Sequence, residues 1–225
     1  MPAGKTLFER LKDAAVTEWQ AYVAHPFVQA VADGSLPEAG FRHYLVQDYL
    51  FLIHFARAYG LAAFKGETLD DIRHAAAGLN AMVGQEMALH VGYCRGWGLE
   101  EADMAAAPEA DATMAYTRYV LERGLAGDLL DLAVALAPCI VGYAEIGRRL
   151  TADPSTRRDG NAYAAWIDTY AGADYQDVAA EHVAHMDRLM VRRGSPQRLT
   201  ALTVTFRQAT RLETAFWQMG LDAAS

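Results

Sequence analysis

The chain has 225 residues, 52% of them hydrophobic, which is apolar surface enough for a substantial core in one globular domain spanning 1–225. Twenty-eight acidic against 20 basic residues leave a formal net charge of -8. The Lys and Arg residues are scattered, so the balance argues against a phosphate-backbone footprint and against nucleic acid as a partner. The opening MPAGKTLFERLKD lacks the long apolar stretch of a signal peptide. With no run expected to approach the roughly 18 apolar residues of a membrane span, a cytoplasmic protein without a membrane partner is expected.

Taken in chain order, Thr6-Leu7-Phe8-Glu9 reads as a capping box, and Leu7, Leu11, Ala14, Ala15 and Trp19 follow at helical spacing. The spacing predicts a first helix to about His25-Pro26, then a short segment ending at Asp33-Gly34. Ser35-Leu36-Pro37-Glu38 opens the next helix, which runs to Phe64. Thr68-Leu69-Asp70-Asp71 starts another periodic stretch that reaches the Gly96-Trp97-Gly98 break, and a polar loop follows it. Beyond Pro108, helices are expected at about 109–124, 127–150, 160–171, 174–193 and 196–219. Apolar and polar residues nowhere alternate for long, so no strand is expected. The result is an all-α bundle of seven to nine helices around a central pocket.

Four groups of residues carry chemistry in this pattern. Cys139 lies in the apolar segment LAVALAPCIVGYAEIG with Tyr143 one turn on. It is either an inert small hydrophobe or a nucleophile activated by its surroundings. Asp48 stands mid-helix in QDYLFLIHF, on one face with Tyr44, Phe51 and Phe55. That face is either solvated or a buried aromatic stripe, where a carboxylate needs partners. Glu213 in RLETAFWQMG has Phe216 and Trp217 at i+3 and i+4; buried there it would hold a proton near neutrality, exposed it would be an ordinary glutamate. Tyr116 and Tyr119, and Tyr163, Trp166 and Tyr170, form further aromatic faces that suit either a core or a flat heteroaromatic ligand.

Histidine-bearing segments such as Glu181-His182-Val183-Ala184-His185 and Glu86-Met87-Ala88-Leu89-His90 lack the spacing of di-iron or zinc sites. No metal is expected. Phosphate-loop and dinucleotide glycine patterns are absent as well, so no nucleotide cofactor is implied.

Together, QDYLF around Asp48, AYTRYV around Tyr116, LAPCIVGYAEIG around Cys139, WIDTYAG around Tyr170 and RLETAFW around Glu213 resemble the TenA/thiaminase II family over nearly the whole chain. The resemblance implies a heme-oxygenase-like all-helical fold, a homotetramer, and a hydrolase of thiamin salvage without metal or organic cofactor. The implied reaction converts 4-amino-5-aminomethyl-2-methylpyrimidine to the hydroxymethyl pyrimidine and ammonia, with thiamin as a slower second substrate. By the same resemblance Cys139 is the nucleophile, Asp48 binds the ring nitrogen and exocyclic amine, and Glu213 moves protons. Tyr116, Tyr143, Tyr170, Tyr44, Phe51 and Phe216 form the substrate pocket. Phe51 departs from members that carry tyrosine there. The competing expectations are a non-catalytic pyrimidine-binding or regulatory protein, and an oxidative enzyme of the same bundle that would draw on His25.

Overall fold

The computed structural model describes residues 4–224, apart from the side chains of Gln85 and Glu86. Among the described residues there is no strand. Twelve α-helices are present: α1 (Leu7–Ala14), α2 (Val16–Val23), α3 (Pro26–Asp33), α4 (Glu38–Lys65), α5 (Leu69–Ala81), α6 (Met87–Gly96), α7 (Glu101–Ala106), α8 (Asp111–Ala126), α9 (Leu129–Ala152), α10 (Ala164–Ala171), α11 (Ala173–Arg193) and α12 (Pro196–Asp222). A π-helical turn, Met82–Glu86, joins α5 to α6.

The all-helical architecture is as expected, but the segments outnumber the expected seven to nine for three local reasons. The first predicted helix divides at Ala15, whose backbone leaves the helical region (φ -122°, ψ 30°). Arg207 donates to the carbonyl of Ala14 at that point, at 2.5 Å. The π turn divides the stretch after Thr68. Finally, part of the expected polar loop winds into α7, where Glu100 and Asp103 cap each other's backbone.

The predicted capping box of Thr6 with Glu9 forms, and a second one, Thr68 with Asp71, opens α5. Each satisfies N–H groups that a helix start leaves without partners.

The chain divides into two compact units: one runs through Leu36 and adds Ala133–Trp217, the other is Pro37–Leu132 with the segment from Gln218. In the first, an aromatic core is built from α1, α2, α3, α9, α10 and α12. Trp19 stacks on Phe206 at 5.6 Å between centroids, Phe27 on Trp217 at 5.0 Å, and Phe8 meets Trp19 edge-on at 5.4 Å. Such ring pairs contribute about 0.5–1.5 kcal/mol each beyond their buried area. In the second unit α4 is the central element. Phe41 packs against Tyr93 of α6 at 5.5 Å, and Phe51 against Tyr116 of α8 at 5.0 Å.

Helix α9 corrects one expectation. An 18-residue stretch of it has mean hydropathy 1.8, so by length and composition it could cross a membrane. Asp131 and Glu145 interrupt the apolar residues of α9, so no unbroken apolar span marks it although its mean hydropathy is high. Eighty-three per cent of that stretch is buried in the protein, as in the core helix of a soluble bundle.

Candidate active site

In the unit centred on α4, Asp48 is buried, and the reading of a solvated face is set aside. Its Oδ2 accepts a hydrogen bond from Tyr44 Oη at 3.0 Å, one turn back on the same helix. The same oxygen lies 2.6 Å from Nε2 of His90 on α6. A carboxylate can only accept, so His90 donates. Oδ1 makes no hydrogen bond among the described residues.

Next to Asp48 on α4, Gln47 holds the connection into α8. Its Nε2 donates to the carbonyl of Pro108 at 2.9 Å, and its Oε1 accepts from Ala110 N at 2.9 Å and from Thr113 Oγ1 at 2.8 Å. These bonds set the start of α8, and Tyr116 lies one turn beyond Thr113. Phe51 packs on Tyr116 and, at 5.0 Å, on Phe55. Asp48, Tyr44, Phe51 and Tyr116 therefore form one buried neighbourhood, to which His90 and Gln47 belong.

In the other unit, Cys139 is 8% exposed and follows Pro138 inside α9. Proline lacks the N–H that would bond the carbonyl of Val134. Tyr22 Oη donates to the carbonyl of Pro138 at 3.3 Å. Gly142 makes room for this contact, since a Cβ there would lie 2.3 Å from the Tyr22 ring. One turn beyond Cys139, Tyr143 lies 4.8 Å from Tyr170, 5.2 Å from Trp217 and 5.9 Å from Trp166. Gly147 lets α10 come this close: a Cβ would stand 2.5 Å from the backbone of Tyr170. Glu213 of α12 is 1% exposed, and Phe216 and Trp217 on the next turn are buried too, so the exposed reading of this glutamate fails.

The two cysteines form no disulfide. Burial pushes the Cys94 thiol up to about 11, a level that keeps it protonated at neutral pH. His25 accepts from Phe27 N through Nδ1 at 3.2 Å and so caps α3. His182 Nε2 donates to the carbonyl of Ala133 at 2.9 Å. Among the described residues no group of three or more His, Cys, Asp or Glu could hold a metal ion; the Glu86 side chain in the Glu86–His90 segment lies outside the described residues. A cavity of about 520 Å3, lined in part by Glu38, Arg42, His43, Asp103 and Met104, contains none of the candidate residues.

The sequence reading gives no role to Gln47 and considers His90 only within a histidine segment without metal-site spacing. A signal for His90 was present: Cys94 follows it at i+4, both are buried, and a buried Asp48 requires a donor from elsewhere in the chain.

The profile of the TENA/THI-4/PQQC family matches residues 13–223. The aminopyrimidine aminohydrolase of Halalkalibacterium halodurans is 35% identical over 212 residues, covering 94% of each chain. Among solved structures, a protein of Silicibacter sp. TM1040 described as a TenA family transcription regulator superposes with a TM-score of 0.91 at 46% identity, covering 98% of each chain. A Shewanella denitrificans domain with a heme oxygenase-like fold has a TM-score of 0.73 at 15% identity, covering 96% of this chain and 92% of that one, and so shares the fold.

Proposed function

Since the chain belongs to the TENA/THI-4/PQQC family, we propose that it is an aminopyrimidine aminohydrolase of thiamin salvage, converting 4-amino-5-aminomethyl-2-methylpyrimidine and water to the hydroxymethyl pyrimidine and ammonia. The observation that carries the reading is the buried Asp48 carboxylate, anchored at Oδ2 by Tyr44 and His90, in a chain 35% identical to an aminopyrimidine aminohydrolase. A carboxylate kept in an apolar interior and open at one oxygen is a receptor for the N–H edge of an aminopyrimidine.

The remaining roles are those the family resemblance implies, and each fits the chemistry of its residue. The Cys139 thiolate adds to the pyrimidine ring, and the electrons gained by the ring expel the amine from the neighbouring methylene. An amine leaves poorly until protonated, so Glu213 gives it a proton and ammonia departs. Water then adds to the exposed methylene carbon, Glu213 recovers a proton from it, and the ring releases the thiolate. Tyr116, Tyr143 and Tyr170, with Tyr44, Phe51 and Phe216, flank the flat ring by stacking and by their hydroxyls. Phe51 supplies a ring without a hydroxyl. The same reading carries the family expectations of thiamin as a slower substrate and of a cytoplasmic homotetramer; light scattering of the purified protein would check the tetramer.

Ammonia release from the purified protein across a panel of aminopyrimidines and thiamin tests the proposal; turnover of the aminomethyl pyrimidine is expected, and no release from any of them would overturn it. The second reading, a pyrimidine-responsive regulator, takes its support from the description of the Silicibacter protein. Binding of the hydroxymethyl pyrimidine without ammonia release would favour it.

A further inference from the structure

We infer that His90 is a positioning residue for substrate recognition: it locks the Asp48 carboxylate through Oδ2 so that Oδ1 alone is presented to the pyrimidine's N–H edge. The inference rests on the role of Asp48 proposed above.

The His90 ring is completely buried, and its Nε2 stands 2.6 Å from Asp48 Oδ2. Tyr44 Oη reaches the same oxygen at 3.0 Å. The two donors come from different directions in the fold. Tyr44 ties the carboxylate to its own helix, and His90 ties it across to α6, 42 residues away in sequence. One tether would leave the carboxylate free to turn about its Cβ–Cγ bond, whereas two on the same oxygen stop that rotation. They also fill the two lone pairs of Oδ2 and leave both of those on Oδ1.

The π turn Met82–Glu86 determines which residue of α6 meets Asp48. The N–H of Met87 bonds to the carbonyl of Met82, five residues back. Such a turn spends one residue more than an α-helical turn, and one residue corresponds to about 100° of rotation and 1.5 Å of rise. An unbroken α-helix from Leu69 would therefore bring Leu89 to about the azimuth that His90 occupies, and an apolar side chain would face the carboxylate. A wide turn adjoining the site is thus matched to the placement of a single donor.

Three variants separate positioning from a merely structural role. His90→Leu removes the donor, His90→Asn has an amide too short to reach Oδ2, and His90→Gln carries an amide nitrogen at about the place of Nε2. Steady-state hydrolysis of the aminomethyl pyrimidine and calorimetric binding of the hydroxymethyl product are measured for each, with the melting temperature recorded. His90→Leu and His90→Asn are expected to raise KM and the product Kd by about tenfold or more, with kcat changed by less than about threefold. His90→Gln should restore both constants to within about threefold of wild type. If His90→Leu does not fold, the Asn and Gln pair decides alone. Leu and Asn variants that bind as wild type does, or a Gln variant as impaired as Leu, would overturn the inference while the proposed activity stands. A wild-type protein that neither binds nor turns over either pyrimidine would bring down the proposed activity, and this inference with it.

Discussion

The surroundings of Asp48 and those of Cys139 accommodate reactive groups in an apolar interior by different means. Around Asp48 the means is hydrogen bonding: Tyr44 and His90 converge on one carboxylate oxygen, and Gln47 beside it holds the start of α8 with three hydrogen bonds. Around Cys139 it is ring packing, with Tyr143 against Tyr170, Trp166 and Trp217, and two glycines that admit Tyr22 and the backbone of α10. The difference follows the groups themselves. A buried carboxylate without donors costs several kcal/mol, whereas a thiol is a small hydrophobe that an apolar lining receives without penalty. Under the proposed function, recognition falls to the hydrogen-bonded region and bond-making to the ring-lined one.

The sharpest way to break this division is Cys139→Ala. Ammonia release should fall by about a thousandfold or more, since the covalent route is lost, while the melting temperature moves only slightly because little volume is removed. Turnover close to wild type would remove the thiol from the chemistry. Glu213→Gln comes next: kcat is expected to drop by about 10²–10⁴-fold with product binding nearly intact, because the amide cannot deliver a proton to the leaving amine. A rise in KM alone would move Glu213 to the recognition side of the comparison.

Two smaller effects probe the ring-lined region and the second thiol. Gly142→Ala places a methyl 2.3 Å from the Tyr22 ring. It should cost about 1–3 kcal/mol, read as a lowered melting temperature, since the Tyr22 ring is held by Trp217, stacked at 6.1 Å, and by Trp19, edge-on at 5.7 Å, and has little room to step aside. Cys94 should escape alkylation at pH 7.5 in the Cys139→Ala background, detected by intact-mass measurement. Its thiol is pushed up to about 11 by burial, from an ordinary value of about 9. A group raised in the folded state favours folding below its unfolded value, so this contribution is present below about pH 9 and fades as pH rises towards about 11. Reactivity of Cys94 should appear over that same window.

The features legible from sequence were those decided within a few residues. Thr6 with Glu9 and Thr68 with Asp71 are capping boxes because the partners are three residues apart. Gly34, Pro37, Gly127 and Gly172 mark helix ends for reasons of local backbone chemistry. The facing of Tyr44 onto Asp48 follows from i, i+4 spacing on one helix. Motif order along the chain was sufficient to single out the family whose profile matches residues 13–223.

Tertiary structure decided what depends on distant partners. Nothing in the apolar spacing around Ala15 marks a break, and it occurs where Arg207, 193 residues on from Ala14, takes the Ala14 carbonyl. The π turn cannot be told from an α turn by composition, because it changes which atoms pair and leaves residue preference almost untouched. His90 becomes the partner of Asp48 only after α6 has packed on α4. Local propensities thus specify the helices and their ends, whereas desolvation of a buried charge selects which distant side chain must face it.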